Sequence, residues 1–252
     1  MSFCLSIVSH GQAGLANLLL DDLEKVTKPD RLILTINTAD AQALQPRGLD
    51  VQMINNGHPL GFGANHNQAF QQTSEPFFCV CNPDIRLPTD PFPALLDAMK
   101  DPSVGVVAPM VLNPAGLTED SARHFPTPMG LVKKALWGED GRYPLAAAAS
   151  DPHPPQPVDW AAGMFLFFRA SAFRDVGGFD DKFHLYYEDV DICTRLWDAG
   201  WKVMLQPGAS VIHSAQRASH RNPRYMAWHA SSMARYFLKH MRRPPRPPET
   251  PG

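Results

Sequence analysis

The sequence predicts an α/β domain with a mostly parallel central sheet flanked by helices, and three observations carry that expectation. Strand-length apolar runs alternate with helix-period segments through residues 3–109. One run, FFCVC at 77–81, is apolar at every position, as a strand buried on both faces must be. Polar breaks end the first four runs, at Ser9-His10, Asn37, Asn55-Asn56 and Asn82–Asp84, where an open parallel sheet gathers its ligand crevice.

The elements follow in order. FCLSIVS is a first strand, and Leu15, Leu18, Leu19 and Leu23 recur at helical spacing after it. RLILTI and VQMI are the second and third strands. A glycine-broken loop, GHPLGFGANHN, leads into a short helix through Ala69 and Phe70. FFCVC is the fourth strand. Asp90-Pro91 then opens a helix through Leu95, Leu96 and Met99, with a carboxylate cap and proline in the first turn. VGVVAP is the fifth strand. Residues 110–158 are proline-rich and weakly periodic, fitting loops and a short helix around Met129–Trp137. WAAGMFLFFR reads as a strongly apolar strand of six or more residues, followed by a short helix and a glycine turn. HLYYEDVDICTRLWDAGW is helical, with Val190, Cys193, Leu196 and Trp197 on one side, Asp191 and Arg195 paired on another, and Gly200 as its end. KVMLQP and SVIHS are two strand-like runs, and residues 224–238 form a last amphipathic helix.

Bulk properties exclude some classes. A formal net charge of -2 argues against a general nucleic-acid binder, which needs a positive field to meet phosphates. Cys4, Cys79, Cys81 and Cys193 each sit in an apolar run without metal-ligand spacing, so core positions are expected for all of them. No leader-like segment opens the sequence and no run of 18 apolar residues occurs, which makes the cytoplasm the expected compartment. PPRPPETPG predicts a disordered proline-rich tail at 241–252.

Four constellations could carry chemistry. Asp84, just past a buried strand, could hold a divalent ion against a diphosphate, or simply cap a turn. The NGHPLGFGANHN loop could let backbone approach a ligand, although it matches neither a Walker loop nor the dinucleotide fingerprint. Glu188, Asp189 and Asp191 crowd one helix start, which stabilises anions there and suits a general base; helix capping is the plain alternative. His213 ends a strand, where a lone histidine is more often structural.

Taken together and in this order, NNGHPLGFGANHNQAF, CNPDIRLP, VDWAAGMFLFFRASAFRDVGGFDDKFHLYYEDVDICTRLWDAGW and VIHSAQRASHR resemble family 2 glycosyltransferases of the GT-A fold, in particular the rhamnosyltransferase-like branch of bacterial polysaccharide synthesis. The likeness spans roughly residues 3–240. It implies one GT-A domain over 1–240, with a nucleotide-binding half (1–109) and a mixed acceptor-binding half (110–240). It also implies inverting transfer of a sugar from a nucleotide-diphosphate donor, such as dTDP-rhamnose, to a saccharide or polyprenyl-linked acceptor. By resemblance Asp189 is the general base and Glu188 stands beside it. Asp84 holds Mg²⁺ or Mn²⁺ on the diphosphate, and His213 helps at the metal or the diphosphate. Asn82 belongs to the same motif, Ser9 and Asn37 lie near the nucleoside, and Gly63 and Asn67 belong to the segment closing over the nucleotide. Two positions depart from the family. Ile36 precedes Asn37 where an aspartate is common, and Asn82 stands where the metal motif begins with aspartate, so metal affinity is expected to be modest.

A sugar nucleotidyltransferase is the competing enzyme, but it would need a lysine- and glycine-rich loop after the first strand, where SHGQAG stands. An inactive nucleotide- or carbohydrate-binding module is a third reading. Between Arg221 and Arg243, apolar and aromatic Tyr225, Met226, Trp228, Met233, Tyr236 and Phe237, with basic Arg221, Arg224, Arg235, Lys239, Arg242 and Arg243, raise the expectation of peripheral contact with an anionic inner membrane face.

Overall fold

The structure, a computed structural model, describes residues 1–40, 43–46, 48–119, 121–137, 154–214 and 223–240, the side chains of 132–136 apart. The proline-rich tail at 241–252, Arg221 and the AQRASHR part of the last motif lie outside the described residues.

The elements run β1 (Phe3–His10), α1 (Ala13–Leu23), β2 (Arg31–Thr38), β3 (Val51–Asn55), α2 (Phe62–Phe70), β4 (Phe77–Cys81), β5 (Ile85–Arg86), α3 (Phe92–Ala98) and β6 (Val104–Leu112). They continue with β7 (Ala122–Arg123), α4 (Pro128–Trp137), β8 (Gln156–Pro157), β9 (Trp160–Ala161), β10 (Phe165–Arg169), α5 (Ala170–Asp175), α6 (Glu188–Asp198), β11 (Lys202–His213) and α7 (Pro223–His240). A nine-stranded sheet in the order β3-β2-β1-β4-β10-β6-β11-β5, with β8 on β11, passes through both halves of the chain. The β1, β2, β3 and β4 pairings are parallel, as is β6 with β11, while β10 runs antiparallel between β4 and β6.

Alternation explains why the sheet is covered twice. Along β4 the side chains of Phe77, Cys79 and Cys81 enter one core and those of Phe78 and Val80 the other. Leu19, Leu20 and Leu23 of α1, with Phe92 and Leu95 of α3, close the first. Ala69 of α2, Phe173 of α5, and Ile192, Cys193 and Leu196 of α6 close the second. Phe78, Phe168 and Phe173 meet there with ring centroids 5.0–5.3 Å apart, each ring contributing roughly 1.5–3 kcal/mol through burial. All four cysteines are buried and free, as expected of core residues, and burial pushes the Cys193 thiol up to about 12.

Three expectations need correction. The strand in WAAGMFLFFR is five residues long rather than six or more: the run breaks at Ala162–Met164, so that β9 pairs with β7 and β10 enters the main sheet. The break is held from outside, because the Gly163 N–H donates to Asp189 and the Asn82 N–H to the Met164 carbonyl. KVMLQP and SVIHS are a single strand with an irregularity between Gln206 and Ser210. The glycine-broken loop turns helical as early as Phe62, with Gly61 as its extended N-cap.

The α6 helix starts at Glu188 rather than earlier, because Tyr186 and Tyr187 have φ of 70° and 66°, outside the helical region. It ends as expected at Gly200, φ 85°, where Trp201 N–H bonds the Leu196 carbonyl and Gly200 N–H the Trp197 carbonyl.

Candidate active site

Parallel strands put all their carboxyl ends on one edge, and the antiparallel β10 brings its beginning to that same edge. His10, Thr38, Asp84, Glu119, Gly163 and His213 therefore gather around one crevice, as the polar breaks predicted for the first four strands.

On one side of the Ala162–Met164 turn stands Asp84. His213, the last residue of β11, bonds it through Nε2 at 3.2 Å and bonds Glu119 through Nδ1 at 3.2 Å. Burial opposes charge on this imidazole, but the two carboxylates outweigh burial and raise its pKa. The Asp84 backbone carbonyl accepts from Ser214, which fixes the strand end beside it. One carboxylate oxygen of Asp84, Oδ1, is buried without a hydrogen-bond partner. Such an oxygen is costly to leave alone and suits a hard cation. Among the described residues no cluster of three or more His, Cys, Asp or Glu is arranged to hold a metal. The donor set therefore fits an ion that takes most of its ligands from a substrate diphosphate, as Mg²⁺ commonly does.

On the other side stands the start of α6. Asp189 accepts the Gly163 N–H at 2.9 Å through Oδ2 and the Val190 N–H at 2.8 Å through Oδ1. Desolvation raises its pKa against the pull of those two N–H groups. Asp189 keeps part of its surface open to solvent, whereas Glu188 is only 5% exposed with Oε2 unpartnered. Burial and the neighbouring Asp189 push Glu188 well above the ordinary carboxylate range. The two carboxyls thus differ in access: one can meet a substrate, the other lies beneath it.

The remaining predicted site residues serve structure in the first instance. Asn37 uses its whole amide, accepting from Leu60 N–H and Asn56 and donating to the Leu60 carbonyl and His10, so it ties the 56–60 loop to the end of β2. Ser9 is 1% exposed and caps Gln12 N–H through Oγ at 3.3 Å. Asn67 bonds both backbone groups of Phe179, and a Cβ at Gly63 would stand 2.6 Å from that of Phe179. Gly63 and Asn67 therefore dock α2 on the 177–181 turn. Asn82 is half-buried at the crevice, its N–H held by Met164.

Sequence reasoning missed Glu119, Gly163 and Arg123, the last of which acts electrostatically on Asp189 and Tyr187. Only Gly163 left a signal, a small residue inside an apolar run. Glu119 sits in a stretch without periodicity and is placed by its N–H bond to Val111. The last helix is amphipathic as expected, but Tyr236, expected at the surface, is 3% exposed and its hydroxyl meets Thr194 of α6 at 3.1 Å.

A crevice of this kind, at the carboxyl edge of a mostly parallel sheet interrupted by one antiparallel strand, defines the GT-A class of α/β proteins. Solved structures bear out the fold. A mannosyltransferase from Pyrobaculum calidifontis in complex with GDP-Man and Mn²⁺ aligns with TM-score 0.61 at 16% identity, covering 98% of this chain and 66% of its own. GalNAc-T7 with UDP, GalNAc and Mn²⁺ aligns with TM-score 0.60 at 15% identity, covering 85% of this chain and 44% of its own. The model of glycosyl transferase family group 2 matches residues 83–227, more than half of the chain, and the chain belongs to that family. An N-acetylglucosaminyl-diphospho-decaprenol L-rhamnosyltransferase of Mycobacterium tuberculosis is 32% identical over 72% of this chain, which spans 64% of that relative's length. Rhamnosyltransferase WbbL of Escherichia coli is 27% identical over 92% of this chain and 91% of its own.

Proposed function

We propose that the protein transfers a sugar, with inversion, from a nucleotide-diphosphate sugar to an acceptor hydroxyl. The observation that carries this reading is the pair of carboxylates on opposite sides of one backbone turn: Asp84 with a spare buried oxygen, and Asp189 held by Gly163 and half-buried. Asp189 takes the proton from the acceptor oxygen as that oxygen attacks the anomeric carbon. The bond to the diphosphate breaks on the opposite face, with no covalent intermediate on the protein. Asp84 and His213 hold a divalent ion, Mg²⁺ or Mn²⁺, which when bound neutralises charge on the departing diphosphate. His213 serves the ion only as a neutral imidazole; protonated, as its two carboxylate neighbours favour, it stands in for the ion as a cation instead of binding it.

The names of the relatives support rhamnose as the sugar and a saccharide on a diphospho-polyprenol as the acceptor. Among the described residues no helix is long and apolar enough to cross a membrane. A peripheral contact with the anionic inner membrane face suits a lipid-linked acceptor and a cytoplasmic donor. The outward face of α7 supports it: Met226, Ala227, Ala230, Ala234 and Leu238 are exposed there, with Arg224 and Arg235 alongside. The test is transfer from a panel of dTDP-, UDP- and GDP-sugars to N-acetylglucosaminyl-diphospho-polyprenol. Rhamnosylation from dTDP-rhamnose alone is expected; product from another sugar, or hydrolysis without transfer, overturns the assignment of donor or of activity respectively.

A further inference from the structure

Two adjacent tyrosines with positive φ are the strained point of the backbone. Tyr186 and Tyr187 carry Cβ atoms that make this region unfavourable, and such a pair persists only where the surroundings over-determine it. It directly precedes Glu188 and Asp189, so its geometry sets where both carboxyls point. The α6 helix adds little at this end, since Tyr187 supplies no side-chain cap.

The restraint comes from α7. Ser232 Oγ donates to the Leu185 carbonyl at 2.9 Å, immediately before the strained pair. The His229 ring lies 5.3 Å from that of Tyr186 and 5.4 Å from that of Tyr187, and the Tyr236 ring lies 5.6 Å from Tyr187. One turn into α6, the fully buried Asp191 meets three basic side chains: Arg195 at 2.8 Å, Lys239 at 2.7 Å and His240 at 2.8 Å. Two of the three come from α7. Burial opposes the charge on Asp191, yet His240, Arg195 and Lys239 outweigh it and lower its pKa. Lys239 also reaches Asp180 at 2.6 Å, tying the same helix end to the 177–181 turn on which α2 docks.

We propose that α7 is a positioning clasp for the acceptor-side carboxylates: through Ser232, His229 and Tyr236 it holds the Leu185–Tyr187 turn, and through Lys239 and His240 it anchors Asp191, so that Asp189 stays aligned with Gly163. The inference rests on the reading of Asp189 as the base. None of these α7 residues touches the reacting atoms; they act through the turn. Without the clasp the tyrosines relax toward ordinary φ values and the first turn of α6 rotates with them, while the Asp84–His213 side of the crevice, built on other strands, is unaffected.

The test compares Ser232→Ala, His229→Ala and their double variant with Leu20→Ala, a core substitution in α1 that destabilises the fold away from α7. Asp189→Asn is carried as a separate arm. Each protein is assayed for kcat, and for donor affinity by calorimetry with dTDP-rhamnose and Mg²⁺. The expected result is a fall in kcat of about tenfold or more in the double variant, as misplaced catalytic groups produce, with donor affinity within about twofold of the parent. Leu20→Ala should lower Tm and leave kcat per folded molecule unchanged. If the clasp variants keep the parent kcat while Asp189→Asn is inactive, the positioning role is overturned and the base stands. If Asp189→Asn is itself active, the base reading falls and takes the inference with it. A loss of kcat shared equally by Leu20→Ala shows general destabilisation and also overturns the clasp.

Discussion

The two carboxylate sites flanking the Ala162–Met164 turn are built on opposite electrostatic logic. Asp84 sits against a histidine shared with Glu119, so charge compensates charge and one oxygen is left over. Glu188 and Asp189 lie where burial raises both pKa values, balanced only by backbone N–H groups and the field of Arg123. The first arrangement keeps a carboxylate ready to share a cation with a polyanionic ligand. The second raises the basicity of the carboxylate, as a group that must accept a proton requires. The proposed transfer asks for both environments, and one three-residue turn lets the fold keep them apart.

The largest expected effect separates the two sites outright. Asp189→Asn removes the proposed proton acceptor but keeps an oxygen able to receive the Gly163 N–H. Turnover should fall by roughly 10²-fold or more, with donor affinity nearly unchanged. Steady-state kinetics and calorimetry on the same preparation check this, and turnover within about threefold of the parent would remove Asp189 as the base.

Asp84→Ala should do the reverse. Donor affinity should drop by about tenfold or more as the ion and diphosphate lose a ligand, and chelation with EDTA should abolish transfer by the parent. Full activity in chelator would show that transfer does not depend on a divalent ion.

How much of this could be read beforehand follows from the range of the interactions involved. Strand runs and their polar ends are local properties, so the crevice edge, Asp84 and the α6 start were legible. The reversal of β10 was not, because a fully apolar strand reads alike in both directions and only Gly163 marks the break before it. The glycine loop was legible as a place of close approach, but the approaching group is Phe179, 2.6 Å from a Cβ at Gly63, and a sequence does not say what comes close. Glu119 and the Lys239–Asp191 pair are contacts between distant segments with no spacing to betray them. Pairing across 48 positions commits Lys239 to Asp191, although its sequence position alone counts it among the basic residues of a lipid-facing helix.

A smaller effect sharpens the contrast in charge. Glu188 is 5% exposed, Oε2 has no partner, and its folded pKa lies well above the ordinary value. Its folded form therefore binds a proton more tightly than its unfolded form, and stability declines as pH rises from the unfolded pKa toward the raised one. Glu188→Gln stays neutral throughout, so it should stabilise the protein at neutral pH by about 1 kcal/mol or more, roughly 2–4 °C in Tm. The gain should vanish below the unfolded pKa. Thermal melts across pH check this, and an unchanged or lowered Tm at pH 7 would mean that the glutamate is compensated in a way burial alone does not provide. With Asp189 as the proposed base, its raised pKa places the acid limb of kcat above the ordinary carboxylate range, since a base must lose its proton to act.

The smallest effect concerns the far side of α7. Its inner face is occupied: Tyr236 packs on α6 and Lys239 is committed to Asp180 and Asp191. Deleting the helix would therefore test membrane contact badly, because it would also release the start of α6. The outer face can be altered alone. Met226 is 62% and Leu238 74% exposed, and Arg235 is exposed near them. A basic residue near an anionic surface is worth about 1 kcal/mol, and a shallow apolar contact adds to it. Arg235→Glu should weaken co-sedimentation with vesicles containing anionic lipid by roughly fivefold or more, and Leu238→Glu should weaken it further, while parent binding fades at high salt as screened charges require. Transfer to a soluble acceptor should be unchanged in both variants, which separates docking from chemistry. Pelleting equal to the parent in both would show that this face of α7 does not meet the bilayer, and would leave its exposed leucine and methionine to some other contact.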